Sequence, residues 1–206
     1  MFHIILVRHG RTEWNREERF RGRADLDLDE VGVKQAEAAA GRVADWPISV
    51  VYSSPLRRAM NTAQALAGKL DLEVTPLPGI IDIDFGKWQG LSMEEAAADN
   101  AALFQKWLTS PHEVRFPGGE SLEIVRDRID SAVAELKQRH SDQTIVLVSH
   151  RVVCQAMVLY FLELDNSHFW QIKQDVCAIN IFKIEEDIAR TLLVNDTCHL
   201  DKLANN

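Results

Sequence analysis

Short unbroken runs of apolar residues alternate along the chain with longer stretches in which apolar residues recur every three or four positions. This is the pattern of buried strands separated by amphipathic helices, and it predicts an α/β protein. Residues 3–7 are apolar after His3, which predicts a central strand buried on both faces. Residues 48–52, 144–148, 176–184 and 190–194 predict further strands, the last two joined around Glu185-Glu186-Asp187, and Leu72-Glu73-Val74 predicts a weak one. A polar loop is expected from Gly10 to about Leu28. A helix follows from its cap Asp29, with Val33, Ala36, Ala40 and Val43 on one face, until Trp46-Pro47 stops it. Another starts at Ser53-Ser54-Pro55-Leu56-Arg57, with Ser54 as the cap, Pro55 in the first helical position and Arg57 in the first turn. Ser92-Met93-Glu94-Glu95 reads as a capping box opening a short helix. Leu122, Val125, Ile129, Val133 and Leu136 mark a long helix near 122–139, and the nearly all-apolar stretch from His150 to Leu162 predicts one buried on most sides.

The length of 206 residues fits one domain with a sizeable core, and the stretch 86–118 is the expected small helical cap over its site. With 31 acidic against 23 basic residues, the net charge of −8 disfavours non-specific nucleic-acid binding but leaves room for a local basic pocket. The first residues are too few and too interrupted for a membrane span or signal sequence, so no membrane association and a cytoplasmic location are expected. Cys154, Cys177 and Cys198 form neither a disulfide framework nor a zinc spacing, and the first two sit among apolar neighbours as core residues.

Two histidines stand where buried strands run out, His9 after Ile4-Ile5-Leu6-Val7-Arg8 and His150 after residues 144–149. In an α/β sheet that edge is where ligands bind. A phosphomonoester keeps its negative charge throughout its reaction, so phosphoryl transfer asks for guanidinium groups, an aligned nucleophile and an acid beside the leaving oxygen. Arg8, Arg57, His9, His150 and Asp82 supply those types at strand ends, a first helical turn and a glycine-marked loop. Arg58, adjacent to Arg57, is expected to face solvent or a surface acid. The remaining histidines lie scattered, and no metal or other cofactor is expected because the arginines neutralise charge as a metal would.

The chain resembles the histidine phosphatases, also called phosphoglycerate mutase-like proteins, over most of its length. The resemblance rests on Arg8-His9-Gly10 with Thr12, Trp14 and Asn15, then on Gly32, Gln35 and Ala36, and on Ser53 to Ala59 with Thr62-Ala63. It continues through Asp84-Phe85-Gly86 with Trp88 and Gly90, Gly118-Gly119-Glu120-Ser121, and Ser149-His150. It implies a three-layer α/β/α sandwich with a mainly parallel sheet, and His9 as a nucleophile that becomes a phosphohistidine. It further implies that Arg8, Arg57 and His150 hold the phosphoryl oxygens, with Asn15 as a neutral donor. Asp82 stands where the family usually has glutamate as the proton donor, with Asp84 second in line.

Arg11 and Arg151 depart from the family pattern, and each either reaches a second anionic group on the substrate or turns outward to a surface acid. Glu120 either binds near the site or fixes the start of its helix. The expected activity is hydrolysis of a small phosphorylated metabolite, with kinship to the ribazole, phosphoserine and sugar-phosphate phosphatases. The alternatives are a phosphoglycerate mutase, disfavoured by the short chain and by Trp88-Gln89-Gly90-Leu91-Ser92 after the acid loop, and a non-catalytic phosphate or phosphopeptide binder. The oligomeric state is open, a homodimer included.

Overall fold

The computed structural model describes residues 2–186 and 188–204, so Asp187 of the expected last turn lies outside the described residues. Six strands form one sheet in the order β3-β2-β4-β1-β5-β6. They are β1 (Phe2–Arg8), β2 (Ile48–Ser53), β3 (Val74–Pro76), β4 (Thr144–Ser149), β5 (Ile179–Glu185) and β6 (Ile188–Asp196). The first four run parallel, and β5 and β6 add an antiparallel hairpin beside β1. The mainly parallel sheet is therefore as expected, with β1 and β4 in its buried middle.

Side-chain alternation along the strands divides the core into two halves. Ile5, Val7, Val51, Val146 and Val148 point to one face, where they meet the alanine-rich sides of α2 (Glu30–Val43) and α3 (Arg57–Leu70). Ile4, Leu6, Ile145 and Leu147 point to the other, against α6 (Leu122–Arg139) and α7 (Arg151–Phe161). Three layers result. The long helix spans the expected residues, and Asp29 caps α2 by accepting from the Gly32 amide at 2.7 Å.

Three local expectations are corrected. The polar stretch after Gly10 contains a one-turn helix, α1 (Glu13–Arg16), closed when Thr12 and Asn15 cap one another. The weak strand lies two residues later, because it pairs with the end of β2 through Val51–Val74 and Ser53–Pro76. Helix α3 starts at Arg57, and Ser54 does not cap it, since its hydroxyl is turned into the protein interior.

Residues 86–118 carry α4 (Met93–Asp99), with the expected capping box at Ser92, and α5 (Ala101–Thr109). Trp88, Trp107 and Phe116 from this stretch pack edge-on around Phe85 and Phe20. Such aromatic pairs add to the stabilisation from burial alone.

Candidate active site

Strand register sets the first contact. Arg8 lies opposite Ser149, so the chain leaves β1 and β4 at the same edge, and the His9 amide donates to the Ser149 carbonyl at 2.9 Å. The His9 and His150 rings consequently stand with centroids 5.2 Å apart. Both are fully buried. The turn after His9 is pressed on α2: a Cβ on Gly32 would lie 2.1 Å from the Arg11 carbonyl oxygen, so only glycine fits there.

Hydrogen bonding fixes the ring tautomers. His9 Nδ1 lies 2.6 Å from the Gly10 carbonyl, an acceptor only, so Nδ1 carries the hydrogen and Nε2 keeps its lone pair. His9 Nε2 is buried without a hydrogen-bond partner among the described residues. His150 is the reverse case. Its Nδ1 accepts from Arg58 Nε at 3.2 Å, so Nε2 carries the hydrogen and donates to Ser54 Oγ at 2.6 Å. Burial, with Arg58 next, holds both imidazoles well below the usual histidine pKa.

The structure exchanges the two expected directions of Arg57 and Arg58. Arg57 turns outward, its side chain 55% exposed, and donates to Asp25 at 3.2 Å and Asp27 at 2.7 Å. Arg58 turns inward with none of its side chain exposed. It donates through Nη2 to Asp82 at 3.0 Å and to the Gly22 carbonyl, through Nη1 to the Ala24 carbonyl, and through Nε to His150. Adjacent residues on a helix point about 100° apart, and with α3 beginning at Arg57 it is the second arginine that faces the sheet.

Asp82 is buried between Arg58 and His150, whose Nδ1 lies 3.7 Å from the carboxylate. Asp84 instead closes its own turn onto the Gly86 amide at 2.8 Å and faces Arg23. Glu120 is away from the cavity: it accepts from the Asp84 amide at 2.9 Å and pairs with Arg23 and Arg128. Its expected substrate contact is thus replaced by bracing of the acid loop.

A cavity of about 570 Å³ opens at Arg8 and Asp82, lined also by Arg11, Asn15 and Arg151, with His9, His150 and Arg58 buried behind its wall. Arg8 is buried, donates to the Gln174 carbonyl at 2.6 Å, and leaves Nε without a partner. Burial, with Arg21 and Arg151 nearby, brings its pKa down to about 9. Asn15 turns its Oδ1 to Thr12, and Arg11 pairs with Asp29 at 2.7 Å while reaching the rim.

Arg21 was not anticipated from the sequence. It lines the cavity, donates to the Trp14 carbonyl at 3.2 Å and leaves Nε without a partner. Burial lowers its pKa to about 10. The available signal was its place immediately before Gly22, which takes φ +50°, a turn that fixes the direction of its neighbour. Ser54, which orients His150, was likewise read only as a cap.

The sequence profile of the histidine phosphatase superfamily (branch 1) matches residues 4–197, and the chain belongs to that family. Phosphoserine phosphatase 1 of Hydrogenobacter thermophilus is 40% identical over 200 residues, covering 97% of this chain and 95% of that one. Bacillus stearothermophilus YhfR superposes with a TM-score of 0.94 at 25% identity, over 98% of this chain and 100% of the other. A phosphoserine phosphatase from Entamoeba histolytica, solved in complex with 3-phosphoglyceric acid, gives 0.86 at 30% identity, over 97% and 100%. This chain is accordingly a phosphatase that hydrolyses phosphomonoesters of small metabolites.

Proposed function

We propose that hydrolysis runs in two steps through His9. The observation that carries this is the His9 ring itself, with Nδ1 tied to the Gly10 carbonyl and Nε2 unpartnered beside the unpaired cation Arg8. A buried imidazole kept neutral is a nucleophile whose lone pair is not lost to a proton. Nε2 attacks phosphorus and the bond to the leaving oxygen breaks, with Asp82 giving that oxygen its proton. Water then attacks the phosphohistidine and gives its proton to Asp82, and the N–P bond breaks to release phosphate.

Arg8 is the group we assign to the phosphoryl oxygens, with Asn15 and Arg11 at the rim, while His150, its Nε2–H held by Ser54, stands beside the His9 ring. Arg58 is a positioning residue, because four of its N–H bonds are already spent on His150, Asp82 and two carbonyls. Phosphoserine heads the substrates to be tried, given the relatives' names.

The test is phosphate release from a panel of phosphomonoesters without added metal, beside His9→Ala. Release from one or more esters that vanishes in the variant is the expected result. Activity surviving in a clean His9→Ala preparation would remove the phosphohistidine step. Interconversion of phosphoglycerate isomers without release would make the chain a mutase.

A further inference from the structure

We infer that Arg151, laid on Trp170 and backed by Arg21, is a subsite for a carboxylate on the leaving alcohol; this rests on the phosphatase reading above. Some cations of the cavity are already matched. Arg11 has Asp29, and Arg19 has Glu17 and Glu95. Beneath the floor, Arg58 has Asp82. Arg8, Arg21 and Arg151 have no ion-pair partner within 4 Å among the described residues, yet all three line one cavity. One phosphoryl group at His9 accounts for Arg8, which is next to it in sequence. Two further cations are left over.

Arg151 has a platform of its own, apart from the Arg8 hydrogen bonds. Its guanidinium carbon lies 5.4 Å from the centre of the Trp170 ring, and the indole of Trp170 is itself held by a 2.8 Å bond from Nε1 to the Trp107 carbonyl. A guanidinium lying on an indole keeps its edge N–H groups free, and that edge is the fork that matches a planar carboxylate. Arg21 supplies the second positive charge, close enough to Arg8 and to Arg151 for each to feel it. Of the acids in the cavity wall, Asp175 is occupied by Lys173 at 2.9 Å and by Asn195, Asp82 by Arg58, and Glu18 makes no ion pair with either arginine. Asp175 and Asp82 offset part of the charge of Arg151 and Arg21 through space, but neither pairs with them.

The subsite predicts selectivity between esters that differ only in this group. D-3-phosphoglycerate and sn-glycerol 3-phosphate share a three-carbon skeleton and differ by a carboxylate in place of a hydroxymethyl group. The wild-type kcat/KM ratio of the first to the second is expected to be about 30-fold or more, and Arg151→Met should lower that ratio by about 30-fold, the range of a charge-assisted hydrogen bond. Arg151→Lys keeps the charge without the fork and should fall between the two. Trp170→Leu, which removes the platform and keeps the cation, should also lower the ratio. Inhibition by orthovanadate, which has no leaving group, reports whether each variant still forms its phosphoryl site.

A ratio unchanged in Arg151→Met while orthovanadate still inhibits would overturn the subsite. So would a wild-type protein that shows no preference between the two esters, or that hydrolyses other esters but neither of these; each of those results spares the phosphatase reading. Absence of phosphate release from every ester would instead overturn that reading, and the subsite with it.

Discussion

Arg58 and Arg57 show how much one residue's direction decides. The two share a charge and a helix turn, but Asp25 accepts from both the amide and the Nε of Arg57 and holds it outside. Arg58 is left to join His150 to Asp82. Replacing Arg58 with Ala should lower kcat about 100-fold, the effect of about 3 kcal/mol of lost electrostatic support in the transition state. Arg57→Ala should change kcat less than threefold. Steady-state kinetics on one ester settles this, and equal losses at both positions would contradict the assignment. The sequence carried the residue types of the site, and the resemblance carried their order. Which of two adjacent arginines faces inward depends on where α3 begins, and that depends on Asp25 and Asp27 more than 25 positions earlier.

At the level of elements, the strands and long helices were legible because their apolar runs and spacings follow directly from burial. The contacts between loops were not. The acid loop and the turn before α6 meet backbone to backbone, with the Glu120 amide donating to the Asp84 carbonyl at 2.9 Å and the Lys87 amide to the Pro117 carbonyl at 3.0 Å. A Cβ on Gly119 would stand 2.3 Å from the Asp84 carbonyl oxygen, which nothing short of a backbone shift relieves. Gly119→Ala is therefore expected to destabilise the fold by about 1–3 kcal/mol, the range for overpacking. It should also lower kcat, since Asp82 is carried on the displaced loop. Thermal melting and turnover measured together would check this, and a variant with normal values in both would show that the two segments are not braced against each other. In the sequence Gly119 stands only within a motif of the resemblance; its use as the residue small enough for a loop-to-loop contact needs the tertiary structure.

For the whole molecule, the neutral state of the two buried imidazoles links folding to pH. Burial first, then Arg58, lowers the pKa of both in the folded protein. The unfolded chain then takes up protons first as the pH falls, so acidification favours unfolding. Stability should be full above about pH 6.5 and decline below it, by up to about 1.4 kcal/mol per pH unit for each group. Urea midpoints at pH 7.5 and 5.5 should differ in that sense, and the difference should shrink in His9→Gln. An unchanged difference would remove His9 from the linkage. No helix among the described residues is long and apolar enough to cross a membrane. The chain as a whole carries a net charge of −8, whereas the cavity gathers Arg8, Arg21 and Arg151 with none of its acids in ion-pair contact with them among the described residues. Like charges confined together oppose folding. Electrostatic frustration is thus concentrated at the place where an anionic substrate binds. Substitutions that relieve this crowding would harden the fold while dulling the enzyme, so selection for turnover and selection for robustness pull these three positions in opposite directions.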